Sequence, residues 1–316
     1  MACLFANLYS PAAWIEVSGE DAFAFLQGQF SNNLAGAAPR AATYGLWLNA
    51  KGGLEGDSLV LHEGDERFIL LSRHTPAATL LERLDAYIFA DDVTLSDRTG
   101  TVGAYALWGS DAGALLEELG WAAPARGEFG VCDSRVWVVP AWWSRGEAFE
   151  IIVPSDYGGE VRARIEEKLS RRGGEFADES AYHFERIRSG IPVPLLDLAA
   201  GTLPQEGRLE RIAVSYEKGC YTGQEVMARL RNKGRMRRLL MVARLEGSPP
   251  AWPCAVYFEG REVGRVVSAG TSGSEWLGFV LLQRPVAEQA ERLSLQPESD
   301  EGIRLLKPQP VPGDGC

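Results

Sequence analysis

The stretch KGCYTGQE, residues 218–225, sets a cysteine directly after a lysine and a glycine. Gly219 has no side chain to shield the backbone, so Cys220 is expected in a loop that a partner can approach closely, a demand a packing cysteine does not make. Gly223 follows three residues later, and Gln224-Glu225 leads into VMARL, the start of a helix or a strand. A functional loop and a plain tight turn both fit these residues.

Outward from that loop, residues 211–238 hold eight basic groups (Arg211, Lys218, Arg229, Arg231, Lys233, Arg235, Arg237, Arg238) against Glu217 and Glu225, a local balance of 8 − 2 = +6. The whole chain of 316 residues carries −11. That contrast argues against indiscriminate attraction to nucleic acid or anionic membranes and points to a particular anion met at one segment. Arg229, Arg231, Lys233, Arg235 and Arg237 recur at every second position, which on an extended strand would place all five on one face. A merely solvated face is the alternative.

The hydrophobic fraction of 46% is enough for a real core and two or three domains. Five cysteines, at 3, 132, 220, 254 and 316, are odd in number and far apart, which disfavours a disulfide scaffold or a paired redox or metal motif. His62, His74 and His183 are also scattered, so no protein-only metal site is expected. No apolar run approaches the roughly 20 residues of a membrane helix, and the start MACLFANLYSPAAW lacks the basic opening of an export signal; the cytoplasm is the expected compartment and no membrane partner is expected.

AAWIEVSG alternates like a strand and feeds GEDAFAFLQGQFSNNL, where Phe23, Leu26 and Phe30 fall at helical spacing and Ser31-Asn32-Asn33 supplies turn chemistry. Strands joined by glycine turns follow, then helical periodicity in PAATLLERLDAYIF, SDAGALLEELG and GEVRARIEEKL, with strands between. Interspersed helices and hairpins imply an α+β architecture. Beyond Arg238 only strand-like runs remain, which predicts a small β-barrel or sandwich without a helix and a final KPQPVPGDGC with no regular element.

At KGCYTGQE the chain closely resembles the YgfZ family, bacterial folate-binding proteins related to the T-protein (aminomethyltransferase) of glycine cleavage. Lys218, Gly219, Cys220, Tyr221, Gly223, Gln224, Glu225 and Arg229 match its hallmark. VSGEDAFAFLQGQFSNNL, LNAKGGLEGD and ERIRSGIPV resemble further pieces of the superfamily in the same order, so the likeness spans about residues 14 to 240.

The resemblance implies two α+β lobes, interleaved or consecutive within residues 1–240, and a C-terminal β-barrel over 241–316, set as a three-domain ring around a central tetrahydrofolate. It implies a role in maintaining or repairing iron-sulfur enzymes, one of which thiolates tRNA, by a monomer whose partners are folate, iron-sulfur client or assembly proteins and, more weakly, tRNA. Two departures weigh against the T-protein's own reaction. Its turn ends in two adjacent aspartates where this chain has Gly56-Asp57, and its pterin-contacting glutamate is replaced within Arg188-Ser189.

Within that frame Cys220 is the candidate nucleophile, its thiolate favoured by Lys218 or Arg229, and Asp57 a weaker candidate base for a rival one-carbon transfer. Tyr182 stands where relatives place a folate-associated aromatic. Gln27, Gln29, Tyr221, Gln224, Glu225 and Arg229 complete the candidate folate contacts, each equally able to serve as core, cap or loop brace. Arg231, Lys233 and Arg235 are candidates for a polyglutamylated folate tail or RNA backbone, or for an adaptor surface that docks a protein or tRNA without catalysis.

Overall fold

The computed structural model describes residues 4–34, 39–64, 66–233, 236–247, 249, 251–299 and 302–306, with backbone alone at 232 and 233. A five-stranded sheet runs in the order β3 (Ala42–Leu48), β4 (Leu54–Gly64), β5 (Arg67–Ser72), β2 (Ala13–Ser18), β6 (Thr94–Asp97). A six-stranded sheet runs β11 (Glu175–Phe176), β1 (Leu4–Tyr9), β7 (Val102–Gly109), β10 (Ala148–Pro154), β9 (Val136–Pro140), β8 (Gly130–Cys132). Because β1 pairs with β7 and not with β2, the two sheets are interleaved in sequence.

Successive strand residues point to opposite faces, and both sheets are apolar on both. In the first sheet Ile15, Val17, Val60, Phe68 and Leu70 pack under helices α1 (Ala22–Gln29) and α2 (Ala77–Asp85). Their neighbours Trp14, Leu59, Leu61, Ile69 and Leu71 enter a second core with Ala104, Val139 and Ile152 of the other sheet. The far face of that sheet, with Tyr105, Leu107 and Ile151, is covered by α3 (Ala112–Glu118) and α4 (Gly158–Arg171). The result is a helix–sheet–sheet–helix sandwich.

The remaining strands close a barrel in the order β12 (Arg238–Leu245), β15 (Glu275–Gln283), β14 (Arg261–Ser272), β13 (Cys254–Phe258), β16 (Arg292–Ser294), β17 (Gly302–Leu305). Leu240, Leu277, Phe279 and Leu281 carry its wall into the inter-sheet core. Helix α5 (Glu179–Arg188) lies against β14 so closely that a Cβ at Gly270 would fall 2.2 Å from the Phe184 nitrogen. Beneath it Arg186 and Asp197, both fully buried, form a two-pronged ion pair at 2.5 and 3.2 Å, and Ser268 of the barrel donates to the same carboxylate at 2.5 Å.

Among the described residues three short α-helices follow α5: α6 (Glu210–Ala213), α7 (Gln224–Lys233) and α8 (Arg284–Gln289). Two of them correct the sequence reading. Helix α8, opened by Pro285, interrupts the expected all-strand tail. More consequentially, the basic run does not extend: Gln224, Glu225, Met227, Ala228, Leu230 and the arginines are strong helix formers, and α7 buries Met227 completely. Alternate residues on a helix stand about 200° apart, so Arg229, Arg231 and Lys233 cannot share the single face a strand would give them. Arg235 and the Lys233 side chain lie outside the described residues.

Candidate functional site

Glycine turns bring the 218–225 loop to its place. Gly223 has φ +86°, and a Cβ there would lie 2.7 Å from the Asn49 carbonyl oxygen; Gly52 has φ +74°, with Met227 at 2.7 Å. The turn of residues 49–53 therefore nests into the start of α7. On its other flank the loop meets the end of α1, where the Thr222 amide donates to the Gly28 carbonyl at 3.3 Å and its hydroxyl to Gln29 Oε1 at 3.2 Å. Arg83 donates to the same Gln29 oxygen at 3.3 Å, besides Glu55 and the Leu48 carbonyl at 2.9 Å each.

Lys218 has a different task from the one its neighbour suggests. Its buried ammonium donates to the carbonyls of Gln27, Phe30 and Asn32 at 2.6, 2.7 and 2.9 Å, using all three hydrogens on the C-terminal end of α1, where carbonyl dipoles favour a cation. Burial pushes its pKa down to about 8. With its three hydrogens committed to α1, Lys218 fixes the loop that carries Cys220. Cys220 itself is exposed, and it lines none of the cavities described below.

The other loop residues divide the same way. Tyr221 is buried in the inter-sheet core, its ring 5.1 Å from the Lys218 nitrogen and its hydroxyl without a partner among the described residues. Gln224 braces the loop through the Lys218 carbonyl at 3.2 Å. Glu225 and Arg229 are exposed on α7, and Arg231 lies over the Tyr216 ring at 4.6 Å. Gln27 closes its own turn, donating to Asn33 and accepting from the Leu34 amide at 2.8 Å each. Both polar ends of Gln27 are occupied.

Tyr182 is also not where a ligand could stack on it. It is fully buried, edge-on to Trp143 at 4.9 Å, with its hydroxyl 3.1 Å from His74 Nε2 and the Arg73 guanidinium 3.5 Å above its ring. Arg73 touches the Tyr9 ring as well, at 3.9 Å, and Tyr9 donates to buried Glu150 at 2.7 Å. Tyr182 is thus part of a core cluster joining both sheets to α5.

Asp57 sits on β4, 2% exposed, accepting from Thr75 at 2.7 Å, Tyr44 at 3.0 Å and Ser72 at 3.4 Å. Burial raises its pKa to about 6 despite these donors. The Tyr44 ring that covers it is stacked on Trp142, with centroids 3.8 Å apart and planes 10° from parallel. Both rings wall a cavity of about 440 Å³ between the sheets, together with Asn32, Asn33, Arg126 and Ile212. Volume, aromatic wall and amide groups suit a small heteroaromatic ligand. The Asn32 amide donates to the Tyr44 carbonyl at 2.8 Å while its own carbonyl accepts from Lys218, so two bonds of one residue link the cavity to the thiol loop.

Neither Tyr44 nor Trp142 stands out in the sequence. Their pairing joins segments almost a hundred positions apart, a separation no local pattern reports.

Residues 9–218 match the GCVT N-terminal domain family. The chain is 32% identical over 247 residues to the tRNA-modifying protein YgfZ of Edwardsiella ictaluri, covering 76% of this chain and 70% of that protein. It is 27% identical over 298 residues to a mitochondrial iron-sulfur cluster assembly factor IBA57 homolog of Neurospora crassa, covering 90% of this chain and 60% of that relative's length. In fold it is similar to the crystal structure of the glycine cleavage aminomethyltransferase T of Bartonella henselae, with a TM-score of 0.79 at 20% identity over 96% of this chain and 84% of that one. The chain belongs to the GCVT N-terminal domain family, as a YgfZ-like protein.

Proposed function

We propose that this chain binds tetrahydrofolate in the Tyr44–Trp142 cavity and assists the upkeep of iron-sulfur enzymes, and through them tRNA modification, with the Cys220 thiol as its reactive group. The observation that carries the reading is the pairing of an exposed cysteine with an aromatic cavity through Lys218 and Asn32 at the end of α1. Relatives named for iron-sulfur cluster assembly and for tRNA modification support the cellular role. Folate would supply a one-carbon carrier; the chain's own residues offer it a ring-stacking wall and amide partners. Among the described residues no helix is long and apolar enough to cross a membrane.

The rival is one-carbon transfer with Asp57 as base. A carboxyl held near pKa 6 beside the cavity favours it, but three donors occupy that carboxyl and Tyr44 stands between it and the cavity. The test is a titration of the purified chain with tetrahydrofolate, read by tryptophan fluorescence, alongside complementation of a strain lacking the protein. Saturable binding that Tyr44→Ala weakens and Cys220→Ser spares, with Cys220→Ser failing to restore iron-sulfur enzyme activity, is the expected pattern. A harmless Cys220→Ser with an inactive Asp57→Asn favours the transferase; absence of binding defeats both.

A further inference from the structure

Cys220 is exposed and lines neither the Tyr44–Trp142 cavity nor a second one, of about 230 Å³, between α5 and barrel strands β12 and β15, which Arg145, Arg188, Arg208 and Arg244 help to line. With no enclosed site at the thiol, selectivity for one partner has to come from the protein surface beside it. Among the described residues six large apolar side chains are exposed. Three of them gather beside the Cys220 loop: Phe23 on α1, 37% exposed, and Tyr87 and Phe89 just past α2, at 40% and 87%.

The stretch DAYIFADD, residues 85–92, carries the last two. Its Ile88 packs against the core beneath α1 and α2, which leaves Tyr87 and Phe89 outside, with Ala86 and Ala90 exposed next to them. The stretch is tied to α1 at both ends. At one end Arg83 donates to Gln29 Oε1, the same acceptor that Thr222 of the Cys220 loop uses, and its guanidinium lies 5.6 Å from the Tyr87 ring. At the other end the Asp92 amide donates to Asp21 Oδ2 at 2.8 Å, and the Asp21 amide to the Asp92 carbonyl at 3.2 Å. Residues 83–92 therefore run beside α1 from its C-terminal to its N-terminal end, about 12 Å for eight residues, and the aromatic patch leads to the thiol loop.

The rim of the patch has one sign. Glu20, Asp21, Glu82, Asp85, Asp91 and Asp92 are exposed, whereas Arg83, the basic residue within 20–29 and 82–92, is buried and turned to Glu55. Rings gathered on a surface supply the anchors of a protein contact, and a charged rim sets which partner approaches. Carboxylates repel nucleic acid and anionic lipid, so the complement of this rim is a basic protein surface. We propose that α1, residues 85–92 and the 218–225 loop form one docking face for a protein whose contact surface is apolar at its centre and edged with lysine and arginine, and that this contact brings the partner to Cys220. This role rests on the reading of Cys220 as the reactive group.

The test compares variants in a strain lacking the protein, at matched cellular protein levels, and as purified chains. Phe89→Asp is expected to melt with the wild type and to keep the rate of Cys220 alkylation by iodoacetamide, followed by mass spectrometry, within about twofold. In cells it is expected to restore iron-sulfur enzyme activity at least about fivefold less well, and Phe89→Leu to restore it. Asp85→Lys combined with Asp91→Lys is expected to lower the restored activity about twofold or more, through repulsion of the basic partner. Full activity in Phe89→Asp beside an inactive Cys220→Ser overturns the docking face and leaves the thiol reading standing; full activity in Cys220→Ser overturns the thiol reading. Slowed alkylation in Phe89→Asp also overturns the docking face, because the ring then shapes the loop and receives no partner. In sedimentation velocity, a wild-type dimer that Phe89→Asp dissociates makes the face a contact between copies of this chain and overturns the partner assignment.

Discussion

The loop at residues 218–225 and the cluster around Arg73 contain similar residue types, each with an aromatic ring against a cation, yet differ in what water does to them. In the loop Cys220 and Glu225 face solvent, as does Arg229 one turn along α7, and the buried cation Lys218 is satisfied by backbone carbonyls. In the cluster Arg73 lies between the rings of Tyr9 and Tyr182, its Nη1 lacking a hydrogen-bond partner among the described residues and facing π-systems instead. Burial, followed by the Arg73 and Arg186 charges, depresses the pKa of His74 well below its usual value; for His183 burial, then Arg186 and Arg73, bring it to about 3. The cluster keeps its histidines neutral and its geometry fixed. The loop leaves Cys220 exposed, where changing partner carries little desolvation penalty.

Breaking the buried side should have the largest effect. Asp197→Ala strands Arg186 without a carboxylate in a fully buried site, and is expected to cost about 3–5 kcal/mol in chemical denaturation. The next effect is a pH dependence. Asp57 titrates near 6 when folded against 3.8 when unfolded, so between those values the folded state binds more protons and stability falls as pH rises. Relative to Asp57→Asn, the wild type should lose up to about 3 kcal/mol between about pH 4 and pH 6, measured by urea melts across that range. The histidines act in the opposite direction on acidification, and the difference between wild type and variant removes them.

Lys218→Met tests whether the loop's cation is structural. Loss of its bonds to α1 should lower stability by about 2 kcal/mol and raise hydrogen exchange at residues 27–32 and 218–224. The smallest effect sharpens the contrast: Cys220→Ser, at an exposed site, should change stability by less than about 0.5 kcal/mol. A large loss there would mean the thiol packs against something and is not free for chemistry.

Much of the fold was legible because its signals are local. Alternation in AWIEVS, the glycine turn of residues 52–53 and the apolar spacing in α2 each report an element within a few residues. The sequence of α7 is open between helix and strand, and its alternating cations suggest the strand, while Gln224, Met227, Ala228 and Leu230 favour the helix. The site was legible in part. The 218–225 motif marked the loop and its cysteine; Tyr182, proposed from the resemblance, and Gln27, proposed for its side-chain amide, are both engaged by neighbouring groups in the fold.

The sequence alone determined the strands, most helices, the glycine-dependent turns and the presence of a distinctive cysteine loop, since these depend on side-chain volume, periodicity and backbone freedom over short spans. Only the tertiary structure decided which polar groups stay available. Lys218 is claimed by a helix end almost two hundred residues earlier, Tyr44 meets Trp142 across two sheets, and four arginines from separate segments reach one cavity. Availability is set by desolvation and by competition for hydrogen-bond partners, and both depend on which distant segments the core brings together.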